Sequence, residues 1–262
     1  MSLGSIKQRV AAVKGVELIS ASDIAVLTLN KGECRSVVLV HDESSTSECE
    51  IKLNRGAQLQ LTEIFLAEAF RRVKISQSEG SVAEVTLLIS GSANADLNIS
   101  LDEPHAESRV NALFLAGEGE LAEVNLRTEH NSSDCNSTSV VKGVASGDKA
   151  KGIFRGMVYV APDAQRTDAR QTSRNIELTT GAKIITEPQL EIYADDVKCS
   201  HGATVGQLDN DAILYMRQRG IEERVARRMQ IEGFAGDILC HHPNEELAEI
   251  MCGIAAEKLH RM

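Results

Sequence analysis

The sequence has no tryptophan, and aromatic residues make up only 3% of it. A carbohydrate-binding cleft or a single-strand stacking platform needs more rings than that. Positive charge is also short: 28 Lys and Arg stand against 38 Asp and Glu, a formal net charge of −10. That balance argues against non-specific binding to nucleic acid or to an anionic membrane. No apolar run approaches the length of a membrane span. The start, Met1-Ser-Leu-Gly-Ser-Ile-Lys-Gln-Arg9, has no apolar h-region, so no signal peptide is expected. Six cysteines without regular spacing do not read as a disulfide framework in a chain of 262 residues. The expectation is a reduced, cytoplasmic protein.

Several chemical signatures are missing as well. There is no Cys-x-x-Cys of the zinc-finger or ferredoxin kind. No Gly-x-x-x-x-Gly-Lys-Ser/Thr loop is present, so nucleotide hydrolysis by a P-loop is not expected of this chain. Gly117-Glu-Gly119 lacks a third glycine in register and reads as a turn. There is no Gly-x-Ser-x-Gly nucleophile elbow.

What is present is a strong alternation. Hydrophobic residues are 42% of the chain, enough for one large domain or one domain with a small appendage. Residues 2–14 suit a short helix with Ile6, Val10 and Val13 on one face. From Val16 the period becomes two: Ile51, Leu53, Ala57, Leu59 and Leu61, then Val85, Leu87 and Ile89, then Leu97, Ile99 and Leu101. Asn54-Arg-Gly56, Gly80-Ser81, Gly91-Ser92 and Ser146-Gly-Asp148 punctuate these runs. Short, regularly spaced strands predict an all-β body. Sandwich, barrel and β-helix share that pattern.

After Gly206 the period changes to 3.6. Asp209 or Asn210 can cap a helix over about 211–219, closed by Gly220. A second helix starts near Ile221, with Ile231, Phe234, Ala235 and Ile238 as its stripe. A third follows Pro243, with Leu247, Ile250, Met251 and Ile254 inward. The expected organisation is a helical segment over 1–15, a β core over 16–206 and a helical subdomain over 207–262. Arginines crowd the first two tail helices: Arg217, Arg219, Arg224, Arg227 and Arg228. They fit either a solvated face or a docking surface.

The most informative stretch is Glu187 to Gly206. Pro188 fits a strand start and argues against a helix. Cys199 and His201 stand two apart, and in a strand such residues point to the same side with Cα atoms roughly 6–7 Å apart. Thiol and imidazole are both soft-to-borderline metal ligands. Gly202 and Gly206 then allow a tight turn out of the strand. The plainer reading is a small buried thiol beside an ordinary polar histidine. Cys135, near His130, is a second and weaker metal candidate. Cys34, Cys49, Cys240 and Cys252 read as core or surface thiols. The adjacent His241-His242 face apart and read as linker.

Tyr193-Ala-Asp-Asp-Val-Lys-Cys-Ser-His-Gly-Ala-Thr-Val-Gly206 resembles the C-terminal signature of the SufB/SufD family, in its SufD-like form. Similarity continues through Asp211-Ala-Ile-Leu-Tyr-Met-Arg-Gln-Arg-Gly-Ile221 and Phe234-Ala-Gly-Asp-Ile238, and back through Lys151–Val160, Cys135-Asn136 and Glu129-His-Asn131. The resemblance implies a right-handed parallel β-helix with helices after it. It implies a non-catalytic scaffold subunit for iron–sulfur cluster assembly. A transient cluster would sit at Cys199 and His201, and a flavin is a further cofactor candidate in the complex. The implied partners are a SufC-like ABC ATPase, docked by Arg217, Arg219, Arg224 and Arg228, and a SufB-like subunit or a second copy of this chain. Members of the family carry a longer N-terminal helical region, so a short form is expected. A β-helix polysaccharide lyase or hydrolase is the alternative. Asp195-Asp196 is the close carboxylate pair it would use, although adjacent residues face apart.

Overall fold

Every strand pairing in the body is parallel, and each strand pairs with the strand two before or two after it in sequence. The computed structural model describes residues 3–20 and 24–262, so Ser2, the first residue of the expected N-terminal helix, lies outside the described residues. The chain opens with α1 (Leu3–Ala11), then β1 (Glu17–Ile19), β2 (Val26–Leu29), β3 (Cys34–His41), β4 (Ser45–Leu53) and β5 (Gln58–Phe65). It continues through β6 (Ala69–Gln77), β7 (Val82–Ser90), β8 (Ala93–Leu101), β9 (Glu107–Ala116) and β10 (Leu121–His130). The last strands are β11 (Asn136–Ala145), β12 (Lys151–Val160), β13 (Asp168–Glu177), β14 (Lys183–Ile192) and β15 (Lys198–Gly206). Helices α2 (Asn210–Gln218), α3 (Glu223–Leu239) and α4 (Glu245–Arg261) follow.

Odd strands β1 to β15 form one sheet, and even strands β2 to β14 the other. One turn of the chain lays one strand in each, which is a parallel β-helix with two main walls. The coil length is not constant. Cys34 lies beside Gln58 and Gln58 beside Val82, steps of 24 residues. Further on, Asn136 lies beside Asp168, a step of 32.

The alternation in sequence becomes inside and outside of the coil. In β8, Ala93, Ala95, Leu97, Ile99 and Leu101 point into the lumen. The odd strands are apolar on both faces where helices cover them: Val38, Val40, Ile64, Leu88, Leu113, Leu115 and Val144 face outward onto α1, α3 and α4. This produces runs such as Ala112–Ala116 that are buried throughout, as in any sheet covered on both faces. Ile6 and Val10 of α1 and the expected α4 stripe of Leu247, Ile250, Met251 and Ile254 belong to that same outer cluster. The helical tail therefore lies along the side of the β-helix, against the odd-numbered sheet.

Local chemistry sets the tail's boundaries. Asp209 caps α2 by accepting from Asp211 and Ala212 N–H at 2.9 and 3.1 Å. Asn244 caps α4 by accepting from Leu247 N–H at 3.0 Å. Gly220, at φ +86°, ends the first segment in a conformation that suits glycine. Lys142 reaches out of β11 to the Phe234 carbonyl at 2.9 Å and to Asp237. Lys258 of α4 grips both carboxylate oxygens of Glu120 at 2.6 Å.

The lumen is not uniformly apolar. In its early coils Glu63 accepts from Arg71 and pairs with His41 at 3.0 Å, all three buried. Burial alone would raise the Glu63 carboxyl, but the His41 hydrogen bond and the Arg71 charge outweigh it and hold it low. His41 stacks flat on Phe65, ring centroids 4.2 Å apart. In the last coils the lining turns polar: His130, Ser137, Ser139, Gln171, Ser173 and Asn175 are all buried. Among the described residues, His130 Nδ1, Gln171 Oε1 and Asn175 Oδ1 have no hydrogen-bond partner.

Two consequences for stability are measurable. Phe114 lies directly beside Gly143 of the next coil. A Cβ at Gly143 would stand 2.0 Å from Phe114 Cζ, and one at Gly152 would stand 2.4 Å from Phe114 Cε2. The ring occupies space that both glycines vacate. Gly143→Ala should cost about 1–3 kcal/mol in urea unfolding, as overpacking does, and Phe114→Leu in the same chain should recover part of it.

His130 bonds Ser137 Oγ at 2.8 Å, and burial lowers its pKa to about 4 from 6.5. The unfolded chain therefore takes up this proton first as pH falls. The contribution is complete above pH 6.5 and is lost between 6.5 and 4, up to about 3 kcal/mol. His130→Gln should flatten the stability-versus-pH curve in that window. A residual slope of the same sign is expected from His242, which burial also lowers.

Candidate functional site

The β-helix ends at β14 and β15, and the ladders stop there: among the described residues β15 pairs with β13 alone and β14 with β12 alone. The Glu187–Gly206 stretch is thus not one extended segment. It is the second half of β14, a turn over 193–197, and β15 in the opposite sheet. Pro188 sits inside β14 rather than at its start, a position an edge strand tolerates. Gly202 lies within β15 and Gly206 is its last residue; the strand runs through Gly202 without a turn. Their lack of side chain thins the exposed surface instead of bending the chain.

Register places the expected pair. Cys199 lies beside Ala169 and His201 beside Gln171. Ala169, Gln171, Ser173 and Asn175 are the lumen-facing residues of β13, all buried. Cys199 and His201 therefore carry the inward parity of a final coil that no further coil covers. Cys199 is half-buried against Val158, Val160, Ala164, Ala169 and Ala194, and His201 is exposed. Burial pushes the Cys199 thiol up, opposed in part by a backbone hydrogen bond at Ala169.

The surroundings suit contact with another molecule. Ile192, Tyr193 and Val205 are exposed apolar residues on this end, Tyr193 at 61%. Tyr193 leans on Tyr159, ring centroids 5.7 Å apart. Beneath His201, Gln171 donates to the Gly156 carbonyl at 3.3 Å and leaves its Oε1 unpartnered. A Cβ at Gly156 would stand 2.5 Å from that oxygen, so this glycine makes room for the amide. Gln171 and Asn175 escaped the sequence reading, which named His130 beside Cys135 and not as a lumen residue. The signal that could have found them is polar residues at the inward parity of a strand.

The other candidates stand elsewhere. Cys135 is buried at the corner before β11, and its thiol donates to the Glu103 and Ser133 carbonyls at 3.3 and 3.4 Å. Burial raises its pKa. His241 and His242 occupy the α3–α4 connection: His241 Nδ1 meets the Asp237 carbonyl at 2.6 Å, and His242 Nε2 meets Thr62 Oγ1 at 2.9 Å. Asp195 and Asp196 sit, both exposed, in the β14–β15 turn. Among the described residues, no three His, Cys, Asp or Glu side chains converge as a metal-ligand set. No helix among them is long and apolar enough to cross a membrane.

The arginines form a second surface. Arg217 pairs with Glu223 at 3.1 Å and Arg228 with Glu232 at 3.1 Å. Arg219 lies over the Tyr215 ring at 4.4 Å, and Arg224 approaches Glu222 at 4.0 Å. Between them Leu214, Tyr215, Val225 and Met229 are exposed.

Comparison with known proteins places the chain in a family. Residues 16–234 match the family described as SUF system FeS cluster assembly, SufBD core domain. The iron–sulfur cluster assembly protein SufD of Escherichia coli K12 is 41% identical over 138 residues, covering 53% of this chain and 32% of that protein. A SufBD family protein of Synechocystis is 48% identical over 94 residues, covering 36% and 21%. One from Mycobacterium leprae is 29% identical over 218 residues, covering 78% and 56%. The chain thus spans at most a little over half the length of these relatives. With the β-helix, the signature strand and the family match in agreement, the chain belongs to the SufB/SufD family of iron–sulfur cluster assembly proteins.

Proposed function

We propose that this chain is a non-catalytic scaffold subunit of a SUF-type assembly complex, and that the open end of its β-helix is where a cluster is built. The observation that carries this is the uncovered inward face of β15, which presents Cys199 and His201 side by side at an unpaired sheet edge. A thiolate and an imidazole are good iron ligands, and two ligands from one chain hold a cluster weakly enough to release it. The rest of the ligand set would come from sulfide and from a second chain seated on the same end. Free strand edges and the exposed Ile192, Tyr193 and Val205 suit such a neighbour, a SufB-like subunit or a second copy. The iron and sulfide are cargo, so the chain itself needs no covalent step. Energy would come from a SufC-like ABC ATPase on the α2–α3 surface, whose mix of Arg, Tyr and Met is typical of interface cores.

The site is tested by Cys199→Ser with His201→Ala. His201 is exposed, and serine nearly keeps the volume of the half-buried Cys199, so the melting temperature should fall by no more than a small-volume substitution costs. Anaerobic supply of iron and sulfide with the partner chains should give the near-ultraviolet and visible absorbance of a cluster in the parent and not in the variant. Intact absorbance and cluster transfer in the variant would move the site elsewhere, with Cys135 and His130 the next pair to substitute.

The docking surface has its own test. Arg217, Arg219, Arg224 and Arg228 changed together to Glu should leave the fold intact, because exposed charges contribute little to stability. Co-purification with the ATPase subunit should fall by at least tenfold, since like charges then meet at the interface. Undiminished capture by a folded variant would assign α2 and α3 another role.

A further inference from the structure

Two cysteines with no signature in the sequence meet in the tail. Cys240 is the C-cap of α3, its N–H bonded to the Gly236 carbonyl at 2.8 Å. Cys252 lies inside α4, on the far side of the short connection that reverses the chain. Their Sγ atoms are 3.8 Å apart, in thiol–thiol hydrogen-bond contact. Among the described residues no other pair of thiols is in such contact. Cys34 is exposed with its Sγ directed at the Gly32 carbonyl, Cys49 and Cys135 are buried in the lumen, and Cys199 stands at the open end.

The two thiols are not equivalent. Cys240 is exposed and Cys252 is half-buried. Burial, and then the Cys240 thiol beside it, push the Cys252 pKa up to about 11. Cys252 thus stays protonated and sheltered while Cys240 is open to a reagent from solution. That division of labour, one accessible attacking thiol and one resolving thiol within reach, is what a dithiol needs for exchange with small disulfides. Closing the gap from 3.8 Å to a bond of about 2.05 Å calls for side-chain rotation and a small helix adjustment.

We propose that Cys240 and Cys252 form a thiol–disulfide exchange site whose oxidant is a small-molecule disulfide of the glutathione class. In the first step the Cys240 thiolate attacks one sulfur of the small disulfide. The new bond is a mixed disulfide on Cys240, and one small thiol leaves after taking a proton. In the second step Cys252 loses its proton to solvent and attacks Cys240 Sγ, expelling the second small thiol. Two cysteine thiols are oxidised by two electrons and one small disulfide is reduced to two thiols. The product bond ties the C-terminal end of α3 to the middle of α4. It closes a loop that holds His241, His242 and the Asn244 cap, and it stiffens the layer on which Arg224 and Arg228 ride. A reducing dithiol reverses both steps. The assignment is independent of the cluster-assembly reading.

The test uses the reduced, full chain incubated anaerobically with oxidised glutathione, then mapped by mass under non-reducing conditions. Glutamyl endopeptidase separates the two cysteines because Glu245, Glu246 and Glu249 lie between them. The expected result is a linked pair of peptides carrying Cys240 and Cys252, two hydrogens lighter than the reduced peptides, and restored by dithiothreitol. Cys34, exposed and without a neighbouring thiol, should instead accumulate a glutathione adduct. Cys252→Ser should trap that adduct on Cys240, and Cys240→Ser should leave Cys252 unmodified over the same exposure. Oxidation should raise the melting temperature of the parent chain and not of either serine variant. A stable adduct on Cys240 in the parent, to the same extent as in Cys252→Ser, would overturn the proposal. So would a linked yield no greater than that of any peptide pair containing Cys34. The parent measurement needs no substitution, so it decides the matter even if a variant folds poorly.

Discussion

Stacking is what this molecule depends on. A coil of the β-helix buries almost nothing by itself; it becomes stable when its strands hydrogen-bond to the coils on either side. In-register parallel ladders run unbroken from β3 to β13 in one sheet and from β4 to β12 in the other. Each lumen position is then a column of side chains rather than a single contact. Phe114 shows how strict the columns are, since its ring needs glycine both at Gly143 and at Gly152. The same rule explains the exposed end. Whatever residues occupy the last coil must face solvent or another molecule, and here they include a thiol and an imidazole.

The strands, the three tail helices and the Asp209 cap were legible because they rest on local rules; the Asn244 cap was not read. Alternation predicts strands, and Asp209, Gly220 and the residues after Pro243 announce helix boundaries. The coil was not legible from periodicity, and the register gives the reason. Steps of 24 residues early on become steps of 32 later, so no single repeat length brings equivalent positions into line. The Cys199–His201 pair was legible as two residues on one side of a strand. Its position beyond the last covered coil was not, because whether a face is covered depends on pairing partners far away in sequence. Glycine signals misled for a related cause: Gly202 and Gly206 read as a turn, but they are strand residues at an edge. The Cys240–Cys252 contact was hidden altogether, since it requires the α3–α4 connection to bring two helices together.

The tail is bound to the body by features of two kinds. A broad apolar seam joins α1, α3 and α4 to the outward residues of the odd strands. Two lysines, Lys142 and Lys258, then fix its position by reaching across that seam to carbonyl and carboxylate oxygens. The seam supplies most of the binding free energy and is tolerant of sliding; the lysines are directional and are not. A movement imposed on α3 by a partner would therefore be felt first at β11, where Lys142 originates.

The lumen changes character along its length, and that has a mechanical meaning. The early coils are filled with Leu, Ile and Val around a buried ion cluster, while the late coils hold amides, hydroxyls and a histidine. Local opening is resisted by buried apolar contact and is eased where polar groups wait for water. By that rule the last coils should open more readily than the first. Cys199 and His201 stand at that end, so the spacing between their side chains is set by the part of the body with the least apolar filling.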